Sequence, residues 1–387
     1  MKKQLVGRGE TDVAIMLHDL AQSGVARNAL SIAAAAHRAG LRTEIWVVDR
    51  AGPLIAEVPD GVGIITLGGL GSKWMNRRLA GIAAIGKLAR AYRERAPRVA
   101  LSAGNHFHVT ASAAYLIAGS PNSVRLLYRA SNPPFQGRNI RVGAVLAWLY
   151  RLRFYGACRV ISVSAELADI LAKTILLDPG KVVTIANSIN LEAAAERAAE
   201  ALEHPWFAPG ELPVILGIGR IVPQKNFSLL IKAFAQVRQT VPSRLVIIGE
   251  GQGAELARLQ SLTASLGLTS ADIWFAGHQS NPLKFLANAK LFVLSSNWEG
   301  MSNVLLEAMA CGCPVVATDC PTGVRELLED GKAGAIVPVG DVNVMAKAIV
   351  AKLLEAPGRK VLRTVAARHD RSDALSRYVD IFREEML

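Results

Sequence analysis

The sequence predicts an α/β fold of two doubly wound, Rossmann-like domains facing a central cleft. Three observations carry this. The chain has 387 residues, more than one hydrophobic core usually serves, so two domains are expected. Apolar strand-length runs alternate with helical stretches in both halves, and the runs are continuous rather than alternating, as in parallel strands buried on both faces. Between the two series, Ala/Glu-rich Leu191 to Leu202 leads into His204-Pro-Trp-Phe-Ala-Pro-Gly210, a break that separates them. Residues 1–190 are assigned to the first domain and 191–371 to the second, with the last helix, from about Ser372, closing the second domain or returning to the first.

In the first half the strands are Val13 to Leu17, Thr43 to Val48, Val62 to Leu67, Val99 to Leu101, Val124 to Tyr128, Arg159 to Val163 and Val182 to Ile185. In the second they are Pro213 to Ile218, Leu245 to Ile248, Ile273 to Ala276, Leu291 to Leu294, Pro314 to Ala317 and Ala335 to Val337. No run reaches the roughly 18 apolar residues of a membrane span, and Met1-Lys2-Lys3-Gln4 leads into Gly-Arg-Gly-Glu rather than an apolar signal. The expected compartment is the cytoplasm. Cys158, Cys311, Cys313 and Cys320 suit reducing conditions, and Cys311-Gly-Cys313 reads as small residues at a helix end, with no second ligand pair at zinc spacing.

The formal charge of +12 is uneven. Residues 72–98 carry Lys73, Arg77, Arg78, Lys87, Arg90, Arg93, Arg95 and Arg98 against Glu94, interleaved with Trp74, Leu79, Ile82, Ile85, Leu88 and Tyr92 at near-helical spacing. A second acid-free stretch holds Arg125, Arg129, Arg138, Arg141, Arg151, Arg153 and Arg159, with Phe135, Trp148, Tyr150 and Phe154 between them. An ordinary solvated basic face explains residues 72–98 equally well, but both stretches in one half point to an anionic membrane surface as partner.

Ligands of open parallel sheets sit beyond the carboxyl ends of the strands. There the second half offers Gly219-Arg220-Ile-Val-Pro-Gln-Lys225-Asn226, two cations suited to a diphosphate. It also offers Gly249-Glu250-Gly251-Gln-Gly253, where a ligand can approach the backbone, and Gly277-His278. The strongest pattern is Ser295-Ser-Asn-Trp-Glu299-Gly300-Met301-Ser302-Asn303-Val304-Leu305-Leu-Glu307-Ala-Met-Ala-Cys-Gly312. Ser302 reads as the N-cap of a helix whose free amides form a phosphate site, flanked by carboxylates that can accept sugar and ribose hydroxyls. Capping by Glu299 and ion pairing by Glu307 is the plainer alternative.

Glu299 and Glu307, with seven residues between them, together with Gly219-Arg220, Lys225-Asn226, Gly249-Glu250-Gly251 and Cys320-Pro-Thr-Gly323-Val-Arg325-Glu326, resemble family 4 of the retaining GT-B glycosyltransferases (glycosyl transferases group 1). The resemblance implies that Arg220 and Lys225 bind the donor diphosphate and that Glu299 contacts the donor sugar. It further implies that Glu307 holds the ribose, that the amides of Asn303 to Leu305 meet the phosphates and that the His278 backbone meets the base. Gly24 resembles the family's N-terminal glycine-rich loop, and Arg27 is a further phosphate candidate. The first half departs from the pattern: where many members have a histidine, this chain has Tyr128-Arg129-Ala-Ser131-Asn132, so His106 and Arg129 are the candidates for that place. The implied reaction moves a hexose or N-acetylhexosamine from a nucleotide-sugar, UDP preferred, to a glycan or polyprenyl-linked lipid acceptor. No obligatory metal or other cofactor is implied, nor a nucleic-acid partner, and no Asp-x-Asp motif occurs. Two other classes compete with this reading. A dinucleotide oxidoreductase lacks support, because Leu17-His-Asp-Leu-Ala-Gln-Ser-Gly24 is no Gly-x-Gly-x-x-Gly turn. A non-catalytic relative that binds nucleotide-sugar or lipid is the remaining alternative.

Overall fold

The computed structural model describes residues 11–21, 23–68, 77–134, 144–251, 253–354 and 358–387. Lys73, Trp74, Phe135, Arg138, Arg141 and the Arg78 side chain lie outside the described residues. The chain divides into two compact units, the second being Asn187–Arg371, while Ser372–Leu387 belongs with the first. The division thus falls a few residues before the expected boundary.

In the first unit, seven described strands form a parallel sheet: β1 (Val13–Leu17), β2 (Thr43–Val47), β3 (Gly63–Thr66), β4 (Val99–Ser102), β5 (Arg125–Ala130), β6 (Ala157–Ser162) and β7 (Val182–Thr184). Their spatial order is β3-β2-β1-β4-β5-β6-β7. Val13 lies beside Thr43 on one side and Val99 on the other. The helices are α1 (Gly24–Arg38), α2 (Arg77–Arg95), α3 (His108–Ile117), α4 (Ala144–Arg151) and α5 (Ala165–Thr174). In the second unit, β8 (Val214–Ile218), β9 (Arg244–Ile248), β10 (Ile273–Gly277), β11 (Leu291–Leu294), β12 (Val315–Thr318) and β13 (Ala335–Val337) take the order β10-β9-β8-β11-β12-β13. Its helices are α6 (Leu191–Ala198), α7 (Phe227–Val237), α8 (Ala254–Ser265), α9 (Leu283–Asn288), α10 (Asn303–Ala310), α11 (Val324–Leu327), α12 (Val342–Leu354) and α13 (Arg359–Ala367). The last helix, α14 (Arg371–Met386), follows.

Each order reverses once, between β1 and β4 and between β8 and β11. Connections leave in opposite directions at such a point, so the strand ends there are open to a ligand. That rule selects the loops after β8 and β11 in the second unit, and those after β1 and β4 in the first.

The last helix completes the first core. Tyr378, Ile381 and Phe382 pack with Val13, Ile15 and Leu101, and burying a side chain such as Phe382 stabilises by about 2–3 kcal/mol. At its end, the buried Glu385 accepts from Arg125 (2.7 Å) and Arg159 (2.8 Å). Two arginines of the acid-free stretch are therefore neutralised by a carboxylate far away in sequence. Burial pulls the Glu385 carboxyl upward, but the hydrogen bonds from Arg159 and Arg125 outweigh it and hold it below its ordinary value. Other basic residues are likewise engaged inside the unit: Arg95 with Glu44 at 2.7 Å, Arg77 with Asp19 at 2.7 Å, and Arg98 with the Met386 carbonyl.

Candidate active site

The loops after β8 and β11 are stitched into one surface by five hydrogen bonds. Ser295 Oγ donates to the Lys225 carbonyl (2.8 Å), the Asn297 amide to the Gln224 carbonyl (2.8 Å) and Asn297 Nδ2 to the Pro223 carbonyl (2.9 Å). Gln224 Nε2 donates to the Trp298 carbonyl (2.9 Å) and Asn226 Nδ2 to Asn297 Oδ1 (2.9 Å). On this frame Lys225 Nζ reaches Glu299 Oε1 at 2.6 Å, with both side chains mostly buried. Ser296 Oγ donates to the same oxygen at 2.6 Å. Glu299 Oε2 receives no hydrogen bond from a described residue, so the carboxylate keeps a free acceptor beside a cation.

Gly219 makes this geometry possible. It has φ +154, and a Cβ there would lie 2.8 Å from Lys225 Cε, so the absent side chain is the path that Lys225 takes. Gly249 serves a neighbouring need: its Cβ would lie 1.8 Å from the Gly219 carbonyl oxygen. The glycine after β9 is thus required first by backbone packing, whereas the sequence suggested close approach of a ligand. Arg220 and Glu250 are exposed, and the Ile221 amide donates to the Glu250 carbonyl at 2.9 Å, which joins their loops. Arg220 makes no ion pair with a described residue. His278 is exposed immediately after Gly277, whose φ is +64.

Helix α10 begins where expected. Ser302 is its N-cap, with Oγ accepting from the Leu305 amide at 3.4 Å. The Leu305 amide, expected among the phosphate donors, is therefore engaged by the cap, leaving the Asn303 and Val304 amides without a partner among the described residues. Glu307 lies one turn beyond Asn303 on the same half-buried face.

The residues ahead of the helix are held by groups to which the sequence assigned no role. Buried Thr322 donates through Oγ1 to the carbonyls of Glu299 and, at 2.7 Å, Gly300. Its φ is +75, strained for a β-branched residue, and the adjacent Gly323 lets the loop press against Gly300 and Met301. Thr318 Oγ1 donates to the Ser296 carbonyl at 2.6 Å and Asn187 Nδ2 to the Met301 carbonyl at 2.8 Å. Gly300, Met301 and Ser302 are buried and act through backbone and cap. Asn226 departs from expectation too. Left-handed at φ 45, it caps α7 by accepting from the Leu229 amide at 3.3 Å, and its Nδ2 is spent on Asn297. Its side chain is committed to the frame rather than left for a ligand.

Cys320 sits beside this site. Its thiol is pushed up to about 12, by burial first and then by the Glu299 charge. Burial likewise raises Cys311 and Cys313 to about 12, which makes them poor thiolate ligands and fits the reading of small core residues.

The first unit shows a smaller group at its own reversal point. Gly24 opens α1 after Ser23, whose Oγ caps the Ala26 amide at 3.2 Å, and half-buried Arg27 lies in the first turn. Gly104 packs on Val25, bringing the loop after β4 beside them. His106 is exposed on that loop. The loop is pinned by Asn105, which accepts from the Ser131 amide (2.8 Å) and donates to the Asn132 carbonyl (2.9 Å). Arg129 does not join this group as a ligand candidate: it is 3% exposed, and its Nε donates to Tyr378 Oη at 3.1 Å, which places it in the seat of the terminal helix.

Comparison with known proteins decides the family. The model for glycosyl transferases group 1 matches residues 212–355, and that for Glycosyltransferase Family 4 matches residues 22–193. The chain belongs to the group 1, family 4 glycosyltransferases. One relative of this glycosyltransferase is the N-acetylgalactosamine-N,N'-diacetylbacillosaminyl-diphospho-undecaprenol 4-alpha-N-acetylgalactosaminyltransferase of Campylobacter jejuni, 34% identical over 198 residues, 51% of each chain. Another is the GDP-mannose-dependent alpha-(1-6)-phosphatidylinositol monomannoside mannosyltransferase of Mycolicibacterium smegmatis, 33% identical over 46% of this chain and 47% of the relative. The chain spans about half the length of these relatives. Among solved structures, Anabaena Alr3699/HepE in complex with UDP and glucose superposes with TM-score 0.76 at 16% identity, covering 96% of this chain and 99% of that one. The fold is the two-domain GT-B fold.

Proposed function

We propose that this glycosyltransferase moves a hexose or N-acetylhexosamine, with retention of configuration, from a UDP-sugar to a glycan or polyprenyl-linked lipid acceptor at the cytoplasmic face of the membrane. One observation carries the reading: Lys225 meets Glu299 at 2.6 Å, at the strand reversal and just before a helix whose Asn303 and Val304 amides have no partner among the described residues. Lys225, Arg220 and the amides of Asn303 and Val304 supply positive potential for a diphosphate, and the free Glu299 oxygen accepts a sugar hydroxyl. Glu307 is assigned to the ribose and the His278 backbone to the base. The HepE complex with UDP and glucose supports the donor class, and the alpha-transferring relatives support retention.

Transfer breaks the bond between the anomeric carbon and the β-phosphate oxygen. The acceptor hydroxyl bonds to that carbon on the same face, and its proton passes to the departing phosphate. Lys225, Arg220 and the helix amides hold the leaving charge electrostatically, with no metal required by the proposal. Gly24, Arg27 and His106 are proposed to serve the phosphate and acceptor side.

The test is slow donor hydrolysis without acceptor. The wild type should release UDP and free sugar, and Glu299→Gln should lower that rate at least about a hundredfold while still binding UDP. Nucleotide binding without turnover in the wild type, with and without lipid-linked acceptors, would instead establish a non-catalytic relative.

A further inference from the structure

Helix α4 has an inverted pattern for a surface helix. Ala147 and Tyr150 face the protein and are buried, while the outward side is Val145 (72% exposed), Leu146, Trp148 (58%) and Leu149, continued by Leu152. Outward residues normally carry charge. Leu116 and Ile117 of α3 and Tyr155 are exposed too. Ser112 Oγ of α3 donates to the Arg153 carbonyl at 2.6 Å, fixing the segment after α4 to that helix.

The occupant follows from charge. No Asp or Glu occurs between Glu94 and Glu166, whereas Arg151 is exposed at the end of α4; Arg153 is half-buried and turned inward, over the Tyr150 ring at 4.2 Å. A second copy would place arginine against arginine with no carboxylate of this segment to pair, in a chain of net charge +12. A bilayer containing anionic lipid supplies what the face lacks: hydrocarbon for the valine and leucines, an interfacial layer for the tryptophan, and negative headgroups for Arg151.

We propose that α4 is the membrane-docking element of this chain, inserting its outward apolar face into an anionic leaflet with Arg151 at the headgroups. This shifts the contact from the basic helix α2, several of whose neighbouring arginines are paired within the unit, to an apolar helix anchored by them. The inference rests on the lipid-acceptor reading for its purpose and on the exposed face for its evidence.

The experiment is co-sedimentation of the full chain with phosphatidylcholine vesicles, with and without phosphatidylglycerol. The wild type should partition onto the anionic vesicles, and Val145→Glu/Leu149→Glu should lose at least about tenfold in partition coefficient. Arg151→Gln should lose about fivefold, a loss that added salt abolishes. The control Val344→Glu/Val361→Glu, at exposed apolar positions of the second unit, should bind as wild type. Donor hydrolysis in solution should survive in all of these variants. Failure of the wild type to bind, or undiminished binding by Val145→Glu/Leu149→Glu, would overturn the proposal. A wild-type dimer converted to monomer by that variant would assign the face to a second copy and overturn it too. Vesicle binding as expected with no donor hydrolysis in any form would defeat the transferase reading and leave the docking element standing.

Discussion

Replacing Lys225 by methionine removes the cation from a pair that is 16% and 9% exposed on its two side chains. Glu299 would keep only Ser296 as hydrogen-bond donor, in a setting where its charge is poorly solvated. Breaking a fully buried pair costs about 3–5 kcal/mol and an exposed one less than about 1 kcal/mol, so this nearly buried pair should cost about 2–3 kcal/mol. In a unit of this size each kcal/mol is worth about 2–4 °C, so the melting transition should drop by about 4–12 °C. The informative partner is Lys225→Met/Glu299→Gln, which removes the stranded charge as well and should recover more than half of the loss. The assay is thermal unfolding of the three proteins at neutral pH in low salt. Equal transitions for the single and double variants would show instead that Glu299 does not depend on Lys225.

Three further predictions follow from the same structure. Thr322→Val should leave the fold intact but raise the KM for donor and lower kcat by about tenfold through the loosened Glu299–Gly300 turn, with Thr322→Ser restoring both; steady-state kinetics decides, and parity of the valine variant would show that the hydroxyl positions nothing. His108 is buried, with Nδ1 at 2.8 Å from Ser102 Oγ, and burial first, then the Arg153 charge, pushes it down to about 3. The folded form thus refuses a proton that the unfolded chain accepts below about 6.5, so this contribution is complete above that pH and declines as pH falls toward 3, by about 2 kcal/mol at pH 5. Denaturant titrations of His108→Gln should show a shallower loss between pH 7 and 5 than wild type, and parallel curves would contradict the assignment. Glu385→Gln should destabilise the first unit by about 1–3 kcal/mol by leaving Arg125 and Arg159 without their carboxylate; since the Glu385 carboxyl lies below its ordinary value, that contribution is present above the ordinary glutamate range and fades as acid protonates it, which a pH series of melts would reveal.

The fold was readable because buried parallel strands must be continuously apolar: Val13 to Leu17, Leu291 to Leu294 and Ala335 to Val337 coincide with β1, β11 and β13. The α10 terminus was readable because Ser302 is chemically fit to cap and Gly312 to end a helix. What escaped depends on partners distant in sequence. Arg129 looked like a free cation until Tyr378, 249 positions away, took its Nε. Asn226 looked like a ligand group because a left-handed cap is invisible without backbone angles. Thr322 stands in the quoted Cys320-Pro-Thr-Gly323 stretch, but neither charge nor spacing marks its hydroxyl as the brace of the Glu299–Gly300 turn; its φ of +75 and its contacts do. Around α4 the interleaving of arginines and aromatics from Arg125 to Arg159 was visible, yet only the burial of Tyr150 against the exposure of Trp148 showed which way the helix faces.

The most direct test is calorimetric titration of UDP into the wild-type chain and into Lys225→Met. Donor binding on these loops requires one site in the wild type, with affinity at least about tenfold weaker in the variant. Equal affinity in both proteins, or no binding to a folded wild type, would contradict the placement of the donor on the loops after β8 and β11.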